Sequence, residues 1–540
     1  MNVSGKMTRN TFLILILTLL SRILGLGRET AIAYRFGTTG TADAFLIAFT
    51  IPFIFYSAVG RTLSTVIIPV YSEYVALGQR VASWKLLSKV INLVFLITTA
   101  STVVAIINAA TLANFFGAGF NTEVLGIATI LISLIMPSII FMTLSGLLGG
   151  ILNANNVFGP PAVGPAIMNI TIILFAMFST MWLGVYGLVI GTVVGSLFFL
   201  LVQLVALKGI GFKYFISFDF KDPALYKIML AILPILIVSG ITQLYTLIDF
   251  RFASALSEGS IAALNYARKT MQLPQSLFIT AVTTAIYPTL SRLATEAKSK
   301  EMITSLRTGL KSILLMAIPG AIGMVVLRQP IVTLLFERGA FDPRATSMTA
   351  DALFFYSFGI VGLCFYIPLT RAFFAMKDVR TPLLVVVTTL GLKISLNILL
   401  VPSLGHSALA LTTTLTLFTT AIILSVFFQQ RMGGLFDGVF FRFIGATIAS
   451  GVAMGYVVYL VDTFLAAKLG FGLLLLATRL GIDVGVGALT FGIIGFGLRI
   501  YETRHLLHLL SIFRLGRLHK RINALATEQT IPEKGGTTLD

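Results

Sequence analysis

Residues 21–45 read SRILGLGRETAIAYRFGTTGTADAF and follow the apolar run TFLILILTLL. Three guanidinium groups (Arg22, Arg28, Arg35) and one carboxylate (Asp43) are thus placed in and just after a hydrocarbon-like segment. A guanidinium fork makes charge-assisted bonds to phosphate and carboxylate oxygens. The chemistry these residues offer is therefore anion binding. Further charges lie inside apolar runs: Arg61, Asp249, Arg251, the pair Arg268–Lys269, and Lys393 one helical turn before Asn397. A charge at a bilayer centre costs about 3 kcal/mol on insertion scales, so each must face a wet cavity, find a partner or snorkel.

Spacing narrows the choices. Arg28 and Arg35 are seven residues apart and share a helix face, while Arg22 is turned by about 120° from Arg28. Asp43 and Arg61 also share a face, with Pro52 between them predicting a kink. We expect a cationic, partly neutralised cavity lined by spans 1, 2, 7 and 8, with Arg22, Arg28, Asp43, Arg61 and at least one of Arg268 and Lys269 as substrate-binding residues. The competing reading is a set of internal ion pairs, such as Arg28–Asp43 or Arg28–Glu29, that only hold helices together. Arg35 lies nearer the interface and is expected to anchor there. Lys393 needs a carboxylate or water, and Asp249 is its candidate partner.

Other chemistries are excluded. There is one cysteine, Cys364, and four histidines without ligand spacing, so zinc and haem sites are not expected. No Walker, G-x-S-x-G or H-E-x-x-H motif occurs, and the chain is not expected to be an enzyme.

The elements that must position these charges are membrane helices. The 540 residues are 57% hydrophobic and 11% charged, with mean hydropathy +0.96, whereas a soluble domain carries about 25% charged residues. Runs of about 20 apolar residues suit spanning helices. Fourteen are read, at 10–36, 41–70, 86–112, 123–151, 158–180, 182–207, 227–256, 260–290, 309–327, 347–376, 382–402, 405–430, 441–462 and 471–499. With the N-terminus inside, 24 of the 39 Lys and Arg fall on inner segments and 4 on outer ones. This predicts both termini in the cytoplasm. The formal charge of +18 is then mainly a membrane-orientation signal, with no nucleic-acid partner implied.

Four pairs recur at one offset: Pro52/Pro274, Pro69/Pro288, Pro161/Pro382 and Asn169/Asn397, 219 to 228 residues apart. About six spans fit that interval, so the repeat is parallel, the arrangement of a transporter with its substrate between two lobes. The expected division is an N-lobe at 1–208 (spans 1–6), an amphipathic connector at 209–226, a C-lobe at 227–431 (spans 7–12), two extra helices at 432–502, and a basic, partly disordered tail at 503–540.

LLFERGAFDPRATSMTADALFFYSFGIVGL (334–363) resembles the signature between helices 9 and 10 of the MurJ (MviN) family. TRAFFAMKDVRTPL, SRILGLGRETAIAYRFGTTGTADAFLIAF, GGILNANNVFGPPAVGPAIMNI and LNYARKTMQLPQSLFITAVTTAIYPTLSRLA are similar too, so the likeness runs over nearly the whole chain. The resemblance implies a fourteen-helix lipid II flippase of the MOP superfamily, expected to be a monomer in the bacterial cytoplasmic membrane serving peptidoglycan synthesis. It implies a cationic central cavity and a lipid groove formed with the last two helices. By resemblance Arg22, Arg28 and Asp43 fall on charged positions essential in the family, and Lys269 stands where an arginine is usual. Around Pro52 the chain reads TIPFIFYSAVGRT, where relatives carry a segment resembling RIPNLLRRLFAEGA, and Arg61 stands where the family's glutamate is usual. Some relatives bind sodium at positions matching Asp249, Lys393, Asn397 and Thr413. Sodium is possible here, but an ammonium at Lys393 would repel or replace it, and no other cofactor is expected. The implied partners are undecaprenyl-pyrophosphate-linked glycopeptide and membrane lipids, with cell-wall synthesis or division proteins as further candidates. The alternatives are a flippase for another undecaprenyl-linked glycan, of O-antigen or capsule type, and a membrane scaffold of the division machinery.

Overall fold

A computed structural model describes residues 3–498 and 500, apart from Phe218, Phe220, Lys221 and 469–471. The basic tail at 503–540 and Arg499 lie outside the described residues. Every described element is helical. This follows from the solvent: in hydrocarbon each backbone N–H and C=O must be paired within the segment.

The long helices are α1 (Val3–Phe36), α2 (Gly40–Ala76), α3 (Arg80–Ile107), α4 (Thr122–Ile135 and Ser138–Ala154, bent by 43°), α5 (Gly159–Phe178), α6 (Val185–Gly209), α7 (Pro223–Ala253), α8 (Ser260–Thr295), α9 (Ser299–Val326), α10 (Pro343–Ala375), α11 (Arg380–Leu404), α12 (His406–Met432), α13 (Gly438–Lys468) and α14 (Leu473–Gly497). Among the described residues eleven helices are long and apolar enough to cross a membrane, or twelve with the bent pair as one. Helices α1 and α7, 34 and 31 residues long, make the set compatible with fourteen crossings.

The duplication is visible in the backbone. Residues with positive φ recur in pairs: Gly37 and Gly259, Gly78 and Ala297, Asn156 and Lys377, Gly184 and Gly405, Gly211 and Gly433, each 219 to 222 apart. Each ends or begins a helix at a matching turn. Packing repeats as well. In the first lobe α1 packs on α5, α5 on α6, α6 on α4 and α4 on α2; in the second α7 packs on α11, α11 on α12, α12 on α10 and α10 on α8. Asn169 and Asn397, 228 apart, are two turns out of this register, so that pair reflects a shared helix face rather than equivalent positions.

Helices α13 and α14 stand outside the repeat. Gly451 and Gly455 bring α13 against Ile322 of α9, and Arg479 Nε of α14 donates to Asp462 Oδ1 of α13 at 2.6 Å.

The expected kink at Pro52 takes a specific form. Proline removes a helical donor and crowds the preceding turn. The chain responds with a π-helical turn at Tyr56–Gly60, and after Pro274 with a second at Gln275–Thr280. The two π turns occupy equivalent places in the two lobes and face the same space between them.

Candidate functional site

That space is a cavity of about 410 Å³. Helix α1 contributes Arg22 and Arg28, α2 contributes Phe49, Phe53, Tyr56 and Arg61, α5 contributes Asn169, α6 contributes Phe199, and α8 contributes Lys269, Gln272, Gln275 and Ser276. Among the described residues that line it are four cations and no carboxylate. The wall is an anion receptor by charge and an amphipathic one by shape, since aromatic rings alternate with the cations.

Each cation is positioned by its neighbours. Arg28 Nη1 donates to Asn169 Oδ1 at 3.2 Å, its Nη2 pairs with Glu29, and its guanidinium lies 4.7 Å from the Phe49 ring centre. Glu29 is buried and its other oxygen accepts from Asn265 Nδ2 of α8 at 2.8 Å, which ties the lobes together. Arg61 is exposed to the cavity and lies 5.8 and 5.4 Å from the rings of Phe53 and Tyr56. It follows the first π turn directly. That turn is seated by close helix approach: a Cβ on Gly146 of α4 would sit 2.7 Å from the Gly60 backbone, and one on Gly150 2.7 Å from Ser64. Phe199 is held at the cavity because Gly164 has no side chain; a Cβ there would lie 1.9 Å from the ring.

The structure separates residues that the sequence grouped. It brings Arg22, Arg28, Arg61 and Lys269 to one cavity but places Asp43 elsewhere, which corrects the expectation that Asp43 neutralises the cavity wall. Asp43 is buried at the end of the bundle away from the N-terminus, where its Oδ2 accepts from Gly259 N at 2.8 Å and its Oδ1 from Ala262 N at 2.7 Å. Gly259 is the N-cap of α8 and has no side chain to cap it. Helix N-termini expose unpaired N–H groups and favour a carboxylate, and α2 of the other lobe supplies one. Arg268 also leaves the cavity: its Nη1 donates to Thr246 Oγ1 of α7 at 3.3 Å. None of the described lining residues comes from α7, contrary to expectation, because its first half packs Leu225, Ile228 and Ile232 on the first lobe. Helices α4, α5 and α6 contribute instead. Arg35 donates to the Met177 carbonyl of α5.

The end of the bundle that holds Asp43 is sealed between lobes. Ala340 N donates to Tyr34 O at 2.8 Å, Tyr266 Oη to Gly37 O at 3.1 Å, and Asn121 Nδ2 to Glu258 Oε1 at 3.1 Å. Gly37 and Gly259, at φ +55° and +85°, allow this contact. A Cβ on either would lie within 2.2 Å of a carbonyl oxygen of the opposite lobe.

Lys393 Nζ donates to Asp249 Oδ2 at 2.9 Å and Thr413 Oγ1 at 2.7 Å, fully buried inside the second lobe. Asn397 turns away and accepts from Thr412. The ammonium thus engages Asp249 Oδ2 and Thr413 Oγ1, while the buried Asp249 Oδ1 has no hydrogen-bond partner among the described residues.

Sequence reasoning missed Glu29 as an inter-lobe group and the aromatic side of the cavity. The signal for the latter was Phe49, Phe53 and Tyr56 at helical spacing, which reads equally well as core packing.

Two six-helix lobes around a cationic central cavity are the architecture of a membrane transporter. The chain belongs to the lipid II flippase MurJ family, whose sequence profile matches residues 32–479. It is 30% identical over 404 residues to the lipid II flippase MurJ of Burkholderia cenocepacia, covering 73% of this chain and 78% of that protein. It is 27% identical over 513 residues to a probable lipid II flippase MurJ of Vibrio cholerae serotype O1, covering 92% and 95%. A solved lipid II flippase MurJ in an inward closed conformation superposes with TM-score 0.77 at 27% identity, over 90% of this chain and 99% of that one. A multidrug MATE transporter of the MOP superfamily, at TM-score 0.66 and 13% identity, shares the fold. The family is one of transporters rather than catalysts, and the chain is a multi-pass membrane protein.

Proposed function

We propose that this chain moves lipid II across the bacterial cytoplasmic membrane by alternating access. The observation that carries the reading is the cavity wall: Arg22, Arg28, Arg61 and Lys269 face one space between the lobes, with no carboxylate among the described lining residues. A pyrophosphate is a dense anion, and arginine forks meet its oxygens with charge-assisted bonds. The polyprenyl tail stays in lipid, beside α13 and α14.

With both termini cytoplasmic, the end sealed by Asp43 and Gly259 is the outer one, and the headgroup enters from inside. Rocking of the lobes breaks the Asp43 cap and exposes the headgroup outside. An inside-negative potential, worth about 2.3 kcal/mol per charge per 100 mV, draws the emptied cationic cavity back toward the cytoplasm. Lys393 acts as a tethered cation between α7, α11 and α12, so transport needs no sodium.

The test is rescue of peptidoglycan synthesis in cells depleted of their own flippase. The native chain rescues, and Arg28→Ala does not. Rescue by both overturns the cavity assignment; rescue by neither favours another lipid-linked glycan.

A further inference from the structure

The aromatic side of the cavity has an order of its own. Along α2 the rings of Phe49, Phe53 and Tyr56 follow one another at centroid distances of 6.2 and 6.3 Å, and Phe199 of α6 meets Tyr56 edge-on at 6.4 Å. An arginine stands at each end of this rail: Arg28 over Phe49, and Arg61 over Phe53 and Tyr56. The two arginines are not equivalent. Arg28 already has Glu29 and Asn169 as partners. Arg61 is cavity-exposed, and no hydrogen bond or ion pair to another described residue engages its guanidinium. It is held by ring faces alone, which orient a guanidinium without using its donors.

We infer that this wall is a two-ended subsite: Arg28 holds the pyrophosphate, the Phe53–Tyr56 rail stacks the apolar faces of the sugars, and Arg61 takes a carboxylate of the stem peptide beyond them. The inference rests on the proposed lipid II reading and deepens it, because it assigns Arg61 to the part of the substrate that lipid-linked neutral glycans lack. The spacing fits. Phe49 and Tyr56 are two helical turns apart, about 10 Å along the axis, which is the scale of a disaccharide. The chemistry fits as well, since sugars offer C–H faces to aromatic rings while a free five-donor fork matches a carboxylate.

The rail also explains why the segment after Pro52 is so aromatic. The π turn at Tyr56–Gly60 advances the helix by one extra residue and brings Arg61 round to the face that Phe49 and Phe53 occupy. Gly60 and Gly146, packed backbone to backbone, fix it there.

The experiment compares the purified full chain with two lipids of identical tail, pyrophosphate and disaccharide, one with the stem peptide and one with it removed. The native chain binds the peptide-bearing lipid more tightly. Arg61→Gln lowers that affinity about tenfold, to the level of the stripped lipid, and a melting temperature equal to that of the native chain shows that the variant is folded. Arg28→Gln weakens both lipids equally, and so does Phe53→Leu. If Arg61→Gln weakens both lipids by one factor, or neither, Arg61 does not read the peptide and the inference falls. If Phe53→Leu changes nothing, the rail does not stack sugar. If the native chain binds neither lipid, the lipid II reading itself fails and takes this subsite with it.

Discussion

The carboxylate of Asp43, in the first lobe, caps the helix that begins after Gly259 in the second, with bonds of 2.8 and 2.7 Å to Gly259 N and Ala262 N. A charged cap across a lobe boundary exists only while the boundary is closed. It therefore biases the transporter toward the state that is sealed at that end. Hydrogen bonds to charged groups are worth about 1.5–3 kcal/mol each. Asp43→Ala should shift the equilibrium toward opening at this end by tenfold or more. The only native cysteine, Cys364, is buried, so a cysteine introduced at Thr38 reports alone. Its labelling by a membrane-impermeant thiol reagent should accelerate in the Asp43→Ala background. Unchanged labelling would mean that the cap does not control the seal.

Gly259 itself is a second handle on the same contact. Its φ of +85° and the 2.1 Å that would separate a Cβ from Thr38 O leave no room for alanine. Gly259→Ala should open the seal as Asp43→Ala does, and the two together should be no worse than either alone. Additive effects in a double-mutant cycle would separate the two residues into independent roles.

The Lys393–Asp249 pair makes an opposite-signed prediction about ions. Removing one partner of a buried pair costs about 3–5 kcal/mol because the other charge is left behind. Lys393→Ala should therefore lower thermal stability sharply in the absence of sodium. With the ammonium gone, the oxygens of Asp249 and Thr413 become available, and sodium should restore part of the loss. The native chain should show no sodium-dependent shift in melting temperature. A sodium shift in the native chain would refute the tethered-cation reading.

Gly146 tests how the cavity's first π turn is held. An alanine Cβ there would meet the Gly60 backbone at 2.7 Å. Overpacking of this kind costs about 1–3 kcal/mol. Gly146→Ala should lower the melting temperature and displace Arg61, whereas Gly126→Ala, with nothing within 4 Å of a Cβ, should do neither.

The connector carries the pH dependence. The Lys89 ammonium, 2.9 Å away, holds the Asp222 carboxyl below its ordinary range, and Asp222 also caps α7 through Ala224 N. A depressed folded-state value means stabilisation that is present above the ordinary carboxyl range and lost as pH falls through the folded value. Proteolysis of the segment before α7 should rise at acid pH, and in Asp222→Asn it should be higher at neutral pH and less pH-dependent, with the Asp219–Lys89 pair remaining.

Much of the fold was legible because hydrocarbon leaves a chain few options. Apolar runs, loop charges and the recurring prolines gave the spans, the repeat and the two extra helices. Part of the cavity was legible for a related reason: Arg22, Arg28 and Lys269 sit where no membrane segment keeps a cation without use. Asp43 was misplaced because a carboxylate at a helix end looks the same in sequence whether it faces a cavity or caps a helix more than two hundred residues away. Arg268 and Lys269 are adjacent, and only packing against Thr246 decides which of them turns toward the cavity.

The sequence by itself determined that this chain crosses the membrane many times, is built from two parallel repeats, carries costly cations within its spans and belongs to one flippase family's pattern. These are properties of composition, periodicity and motif, which do not depend on which helices meet. Only the tertiary structure decided that Arg61 ends an aromatic rail, that Asp43 seals one end of the bundle and that Lys393 pairs with Asp249 and Thr413. The first depends on a π turn within α2 that the close approach of α4 seats, the second on a side chain of one lobe reaching the backbone of the other, and the third on three helices meeting inside one lobe.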